Sequence, residues 1–287
     1  MNIQRIFTDI ADSDPELYER ISPRRASIRT LLRGASMAVL PIALGGLFKK
    51  AYGQGSANLP LIIETLNFAL TAEYLESNFY TTALDTPLLA TQIDALGLRP
   101  DVTLLRDNEI AHRELVKATI QKLGGTPIPE PRFDFTGGKG QGGGPFADVM
   151  TRAETFFAVA QAFEETGVRA YKGQAGNLMS SKEVLTAALD IHSVEGRHVS
   201  HLRMIRKTKF GVDIKPWITG TVSGIPGTAA QPTYEGEGNT TQSGINIVTL
   251  PNAATKTTIT PNAATEAFDE PLTKAQVEAI LSNFIVL

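Results

Sequence analysis

Two polar patterns restrict this chain more than any other feature, and each occurs twice on segments that are otherwise apolar along one face. LTAEYLESNFY carries Glu73 and Tyr80, spaced E-x6-Y, and RDNEIAHRELV carries Glu109 and His112, spaced E-x2-H. Further along, AFEETGVRAY repeats the first spacing with Glu164 and Tyr171, and HSVEGRHVSHL repeats the second with Glu195 and His198. At about 100° per residue, each of these falls on the inner stripe of a helix, among residues such as Leu66, Leu105, Phe157 and Ile191. Glu64 and Glu114 point away from the stripe, Glu76 lies about 60° to its side, and Glu165 lies on the flank. An acid facing a core is costly unless something compensates it. Here four acids face inward.

Four buried carboxylates placed close together repel one another, and both that repulsion and burial favour protonation. Two divalent cations would supply four positive charges in the same space. A glutamate from each of two helices, plus Glu-x-x-His from each of the other two, is the arrangement of di-iron and di-manganese carboxylate centres in helix bundles. The candidate metal-facing residues are therefore Glu73, Glu109, His112, Glu164, Glu195 and His198. Tyr80 and Tyr171 are either hydrogen-bond partners behind those carboxylates or core aromatics with a satisfied hydroxyl. Among the other histidines, His201 reads as solvent-facing and His192 as a boundary residue or neighbour of the site.

The segments carrying these residues are helical in pattern, from Leu59 to about Leu84, Val102 to Leu123, Phe146 to Gln174 and Ser181 to Lys209. Pro60 suits a helix start, and Gly124, Gly125 and Pro127 a helix stop. Between the second and third helices runs PIPEPRFDFTGGKGQGGGP, a long aperiodic connection. Short, long and short connections predict an all-α four-helix bundle over residues 57–210, with one crossover. Residues 211–287 read as a Thr/Gly/Asn-rich extension, loosely packed to about 265. It ends in a short helix that docks through Val277, Ile280, Leu281 and Phe284.

Residues 1–53 have a different layout. SPRRASIRTLLR precedes fifteen uncharged residues, Gly34 to Phe48, and then KKAYGQG. A basic head, a short apolar run and a small-residue tail have the layout of an export signal, the alternative being a surface helix with a chance arginine pair. Arg24 and Arg25, with Ile28 and Arg29 behind them, resemble the twin-arginine signal, although Ser27 stands where a phenylalanine is usual. That resemblance implies a partner in the twin-arginine export machinery and a periplasmic or cell-envelope location. The apolar run falls short of the roughly 20 residues of a membrane span. Absence of cysteine excludes disulfides, iron–sulfur clusters and cysteine-based zinc sites. A net charge of −3 without a basic run in the body gives no sign of a nucleic-acid partner.

The stretches LNFALTAEYLESNFY, EIAH, AFEETGVRAY and EGRH resemble the ferritin-like superfamily, with bacterioferritin and rubrerythrin among its members. With EAFDEPLTKAQVEAI added, the chain looks like the exported ferritin-like proteins related to desiccation-associated proteins. The resemblance implies a dinuclear iron or manganese centre, with the six residues above as ligands and Glu109 and Glu195 as bridges. It also implies an oxidoreductase of ferroxidase, peroxidase or catalase type that acts on O2, peroxide or metal. A homo-oligomer is compatible with it. The alternative is a stress or desiccation protein in which the bundle and its extension protect or bind other molecules, and any metal is structural.

Overall fold

The computed structural model describes residues 57–286. The expected export signal with Arg24 and Arg25 lies outside them. Among the described residues, no helix is long and apolar enough to cross a membrane.

Helix α1 spans Leu59–Asp85, opened by Pro60 and by Asn58, whose side chain accepts from the Leu61 amide. It stops at Thr86, which precedes Pro87 and is held extended as a residue before proline tends to be. A short helix, α2 (Pro87–Ala95), fills the connection and buries Leu89, Ala90 and Ile93. Helix α3 covers Arg99–Lys122 and ends before Gly124, whose φ of 80° suits glycine alone among ordinary residues. Helices α4 (Ala153–Gln174) and α5 (Lys182–Phe210) complete the bundle. Ser181 caps α5 at its start, and Gly211, left-handed at φ 69°, closes its end.

The pairing follows the chain. Helix α1 packs mainly on α3 and α4 on α5, and the two hairpins meet through α1 with α4 and α3 with α5. Asn67, early in α1, bonds to Thr126 and Ile128 just beyond α3, so that pair is antiparallel. Gln161 of α4 meets Arg206, and Val168 meets His192, which sets the second pair antiparallel as well.

Three expectations need correcting. The first connection contains α2, which the sequence reading left unassigned. The third helix begins at Ala153 rather than Phe146, where Gln92 of α2 bonds to the backbone on either side of Arg152. The Gln92 side-chain amide donates to the Thr151 carbonyl at 2.7 Å, and its oxygen accepts from the Ala153 amide at 2.9 Å. A cap supplied from another helix cannot be read from local pattern.

The third correction concerns residues 211–265, which are not loosely packed. Ile214, Ile225, Ala230, Tyr234, Ile247 and Ala264 are all buried. Two small hairpins, β1–β2 (Thr241–Gln242 with Ile245–Asn246) and β3–β4 (Pro251–Asn252 with Thr257–Thr258), lie on the way to α6 (Pro261–Glu266). The final helix, α7 (Lys274–Leu281), carries a capping box of Thr273 and Gln276. Val277, Ile280, Leu281 and Phe284 are buried against the body, as the pattern predicts.

The apolar core comes in two parts. One gathers Leu75, Phe79, Val102, Phe156 and Leu202 with the α7 residues, and the other gathers Ile62, Leu70, Val116, Val184 and Ile191. Along α1, Glu73 sits where one part gives way to the other. The acids lie in a polar layer between two greasy ends.

Candidate metal centre

All six inward-facing residues of the sequence pattern meet in that layer. Glu73, Glu109, Glu164 and Glu195 are fully buried, and the two histidines are nearly so. They form two overlapping groups, Glu73, Glu109, His112 and Glu195, and Glu109, Glu164, Glu195 and His198. Within each group, one ligand atom per residue lies within 4.8 Å of all the others. Glu109 and Glu195, the glutamates of the two E-x2-H pairs, belong to both groups.

The histidine geometry shows what the cluster is built around. His112 Nδ1 lies 3.0 Å from Glu109, 3.1 Å from Glu195 and 3.7 Å from Glu73. His198 Nδ1 lies 2.9 Å from Glu109, 3.0 Å from Glu164 and 3.8 Å from Glu195. One ring nitrogen carries at most one proton and can satisfy one of its three carboxylates. Among the described residues, Glu73 Oε2, Glu109 Oε1 and both oxygens of Glu195 are buried without a hydrogen-bond partner. Orphaned acceptors are rare in folded interiors. Hard oxygens and imidazole nitrogens converging in this way are a donor set for divalent metals that do not require thiol ligands. The residues present fit bound metal ions.

The titrating groups reflect the same crowding. Burial, then the charge of Glu109, pushes the Glu73 carboxyl well above the usual carboxylate range. Burial, then Glu109 and Glu164, does the same to Glu195. Burial also works to raise Glu109, but hydrogen bonds and charge from His112 and His198 outweigh it and hold that carboxyl low. For His198, burial disfavours the charged ring, yet Glu164 and Glu109 outweigh it and push the group up to about 10. Without metal, the cluster therefore keeps protons that a cation would replace.

The tyrosines cross between the two halves. Tyr80, on the helix of Glu73, donates to Glu164 Oε1 at 2.5 Å, and Tyr171, on the helix of Glu164, donates to Glu73 Oε1. Burial first, and the accepting carboxylate next, raises both phenols well above their ordinary value. Each hydroxyl thus stays a donor and fixes one oxygen of its glutamate, leaving the other to face the cluster.

A recess of about 480 Å³ between α3 and α5 leads to the histidines. Exposed Leu104, Arg197 and His201 stand at its rim, and His112 and His198 form its floor. This recess gives access to the cluster past the histidines. His201 is half-exposed and pairs with Asp101 at 2.7 Å. His192 sits outside the cluster with Nδ1 on the Val168 carbonyl at 3.0 Å.

A model of the ferritin-like domain matches residues 62–208, just over half of the chain and all four long helices. The chain belongs to the ferritin-like domain family. No curated protein matches it. The ferritin-like domain accounts for the bundle and the crossover, while the extension after Gly211 lies outside the match.

Sequence reasoning missed two groups. Asn108, adjacent to Glu109, places its amide 3.1 Å from His198 Nε2. If Nδ1 is to face metal, Nε2 carries the ring proton, so the amide must present its oxygen there. Glu76, set to the side of the stripe by angle, is in fact 2% exposed. Its spacing of three from Glu73 was the available signal.

Proposed function

We propose that the cluster holds two ions of iron or manganese, with Glu73 and His112 on one, Glu164 and His198 on the other, and Glu109 and Glu195 shared. On this reading the protein is an exported oxidoreductase that acts on O2, peroxide or ferrous iron. When bound, such a pair of ions supplies two electrons to an oxidant. The protein's part is to orient the carboxylates through Tyr80 and Tyr171 and to seal the layer between two apolar clusters. The recess over His112 and His198 lets small molecules approach. The observation that carries the reading is the set of buried, partnerless carboxylate oxygens converging with two imidazole nitrogens.

Elemental analysis of chain expressed with both metals tests it. About two ions per chain are expected in wild type, and almost none in the Glu109→Ala, Glu195→Ala double variant. Wild type that folds and stays metal-free would sink the enzyme reading in favour of a protective role in stress or desiccation. With metal present, peroxide consumption and ferrous oxidation identify the reaction.

A further inference from the structure

A second recess of about 480 Å³ opens where the extension folds over α4 and α5. Val168 of α4 and His192, Gly196 and Val199 of α5 line part of it, and Trp217, Glu237 and Phe268 of the extension line the rest. The extension lies beyond the ferritin-like match, so the bundle alone does not build this recess.

Three features of its lining are unused by the fold. The chain's single tryptophan, Trp217, is 50% exposed and Phe268 is 40% exposed, and neither packs on another ring among the described residues. Glu237 is buried, and its Oε1 takes both the Arg169 guanidinium and the Glu270 amide, each at 3.0 Å. Its Oε2 has no partner among the described residues. Gly196 is the third. Glycine inside a helix is unfavourable relative to alanine, yet a Cβ built on Gly196 meets nothing within 4 Å. No protein neighbour needs that space.

The hydrogen-bonding groups left over share one character. His192 Nδ1 lies on the Val168 carbonyl, which can only accept, so Nδ1 carries the proton and Nε2 of the neutral ring is an acceptor. Glu237 Oε2 is an acceptor as well. The donors of the lining are engaged: Ser193 and Thr265 donate to backbone carbonyls, Lys172 to Asp269, and the Trp217 indole to Glu266. The other acids, Glu165, Glu266 and Asp269, already face Arg203, Lys215 and Lys172. Burial pushes the Glu237 carboxyl up to about 7 against the pull of the Glu270 amide and Arg169, so one guanidinium does not offset its desolvation. Open acceptors and bare aromatic faces both attract a positively charged donor.

We propose that this recess binds a small organic ammonium ion. Glu237 Oε2 accepts from its N–H, His192 Nε2 offers a further acceptor, and Trp217 and Phe268 cover its carbon skeleton. The site is independent of the metal centre.

Because Trp217 is the single tryptophan, its fluorescence reports on the recess alone. The full chain is titrated at about pH 8, where Glu237 is ionised and an alkylamine is still charged. The probes are phenethylammonium, its neutral counterpart phenethyl alcohol, and glucose. The proteins are wild type, Glu237→Gln and Gly196→Leu, each with its thermal melt. Wild type is expected to bind phenethylammonium saturably and phenethyl alcohol at least about 10-fold more weakly, the scale of a hydrogen bond to a charged group. Glu237→Gln weakens the ammonium by about 10-fold and leaves the alcohol unchanged. Gly196→Leu fills the recess and abolishes both, while melting no lower than wild type, since leucine is the better helix former. Equal binding of the ammonium and the alcohol makes the recess merely apolar and overturns the proposal. Saturable binding of glucose alone, no response to phenethylammonium, or unchanged ammonium binding in either variant overturns it too.

Discussion

At the scale of the residue, the decisive quantity is the number of protons available to the acceptors. Two Nδ1 atoms and two tyrosine hydroxyls face four glutamates, and the surplus acceptors remain unpaired. The crossed tyrosines make each half depend on the other. Tyr171 orients Glu73, whose ion would also be held by His112, and Tyr80 orients Glu164, beside His198. Removing one hydroxyl should therefore act on one position. Tyr171→Phe is expected to weaken the His112-side ion by about 10-fold or more, and Tyr80→Phe the His198-side ion. Chelator competition against each variant reads this directly, and equal loss at both positions would refute the pairing.

At the scale of the element, the extension is fastened by buried arginines of α4 and α5. Arg169 donates Nε to the Glu270 carbonyl at 2.6 Å and pairs with Glu237 at 3.0 Å, while its other nitrogens take the carbonyls of Thr233 and Glu235. Arg203 reaches Glu165 and the carbonyls of Lys215 and Trp217. Arg206 reaches Gln161 and the Gly224 carbonyl. A charge buried in this way contributes by matching groups that would otherwise be orphaned. Arg169→Leu leaves three carbonyls without their donor and Glu237 with the Glu270 amide but no cation, and should cost about 3–5 kcal/mol. Chemical denaturation measures the loss, and limited proteolysis should show residues beyond Gly211 cut first. Close packing is equally specific at Gly173, where a Cβ would lie 2.0 Å from the Leu272 carbonyl as the tail passes over α4.

At the scale of the whole molecule, the crossover, the bundle and the C-terminal tail close on one another. The Asp134 amide donates to the Phe284 carbonyl at 2.7 Å and the Val286 amide to the Arg132 carbonyl at 2.9 Å. Phe284 stacks on Phe146 of the crossover and meets Phe163 of α4 edge-on. This body should fold without metal, but its polar layer then depends on protons. Protonated His198 stabilises the metal-free chain fully below the unfolded histidine value of about 6.5, and that contribution is lost as pH rises through about 10. Glu73 and Glu195, also raised, act in the same sense. Metal-free protein should therefore melt at lower temperature as pH rises from 7 to 10. Each ion at about 100 times its dissociation constant should add about 2.7 kcal/mol and flatten that slope. Calorimetric melting with and without Mn(II) checks both. Export belongs to this scale as well. A reporter fused behind residues 1–53 should reach the cell envelope, and changing both arginines (Arg24→Lys and Arg25→Lys) should retain it inside.

The sequence alone determined the four long helices, their long crossover and the six converging side chains. Helical period and the E-x6-Y and E-x2-H repeats are local facts that survive folding unchanged. Docking of α7 was legible for the same reason, since its apolar stripe needed a surface to cover. Tertiary structure decided what depends on residues distant in the chain meeting. Gln92 on α2 bonds across the start of α4. The tyrosines cross to the opposite glutamates because the hairpins face each other. The Thr/Gly-rich stretch became a packed layer because three arginines on the bundle meet its carbonyls. Glu76 is buried because α4 covers its face, with Gly167, ninety-one residues further along, next to its carboxylate. Period places a side chain on a face, but the depth to which that face is buried is set by its neighbour.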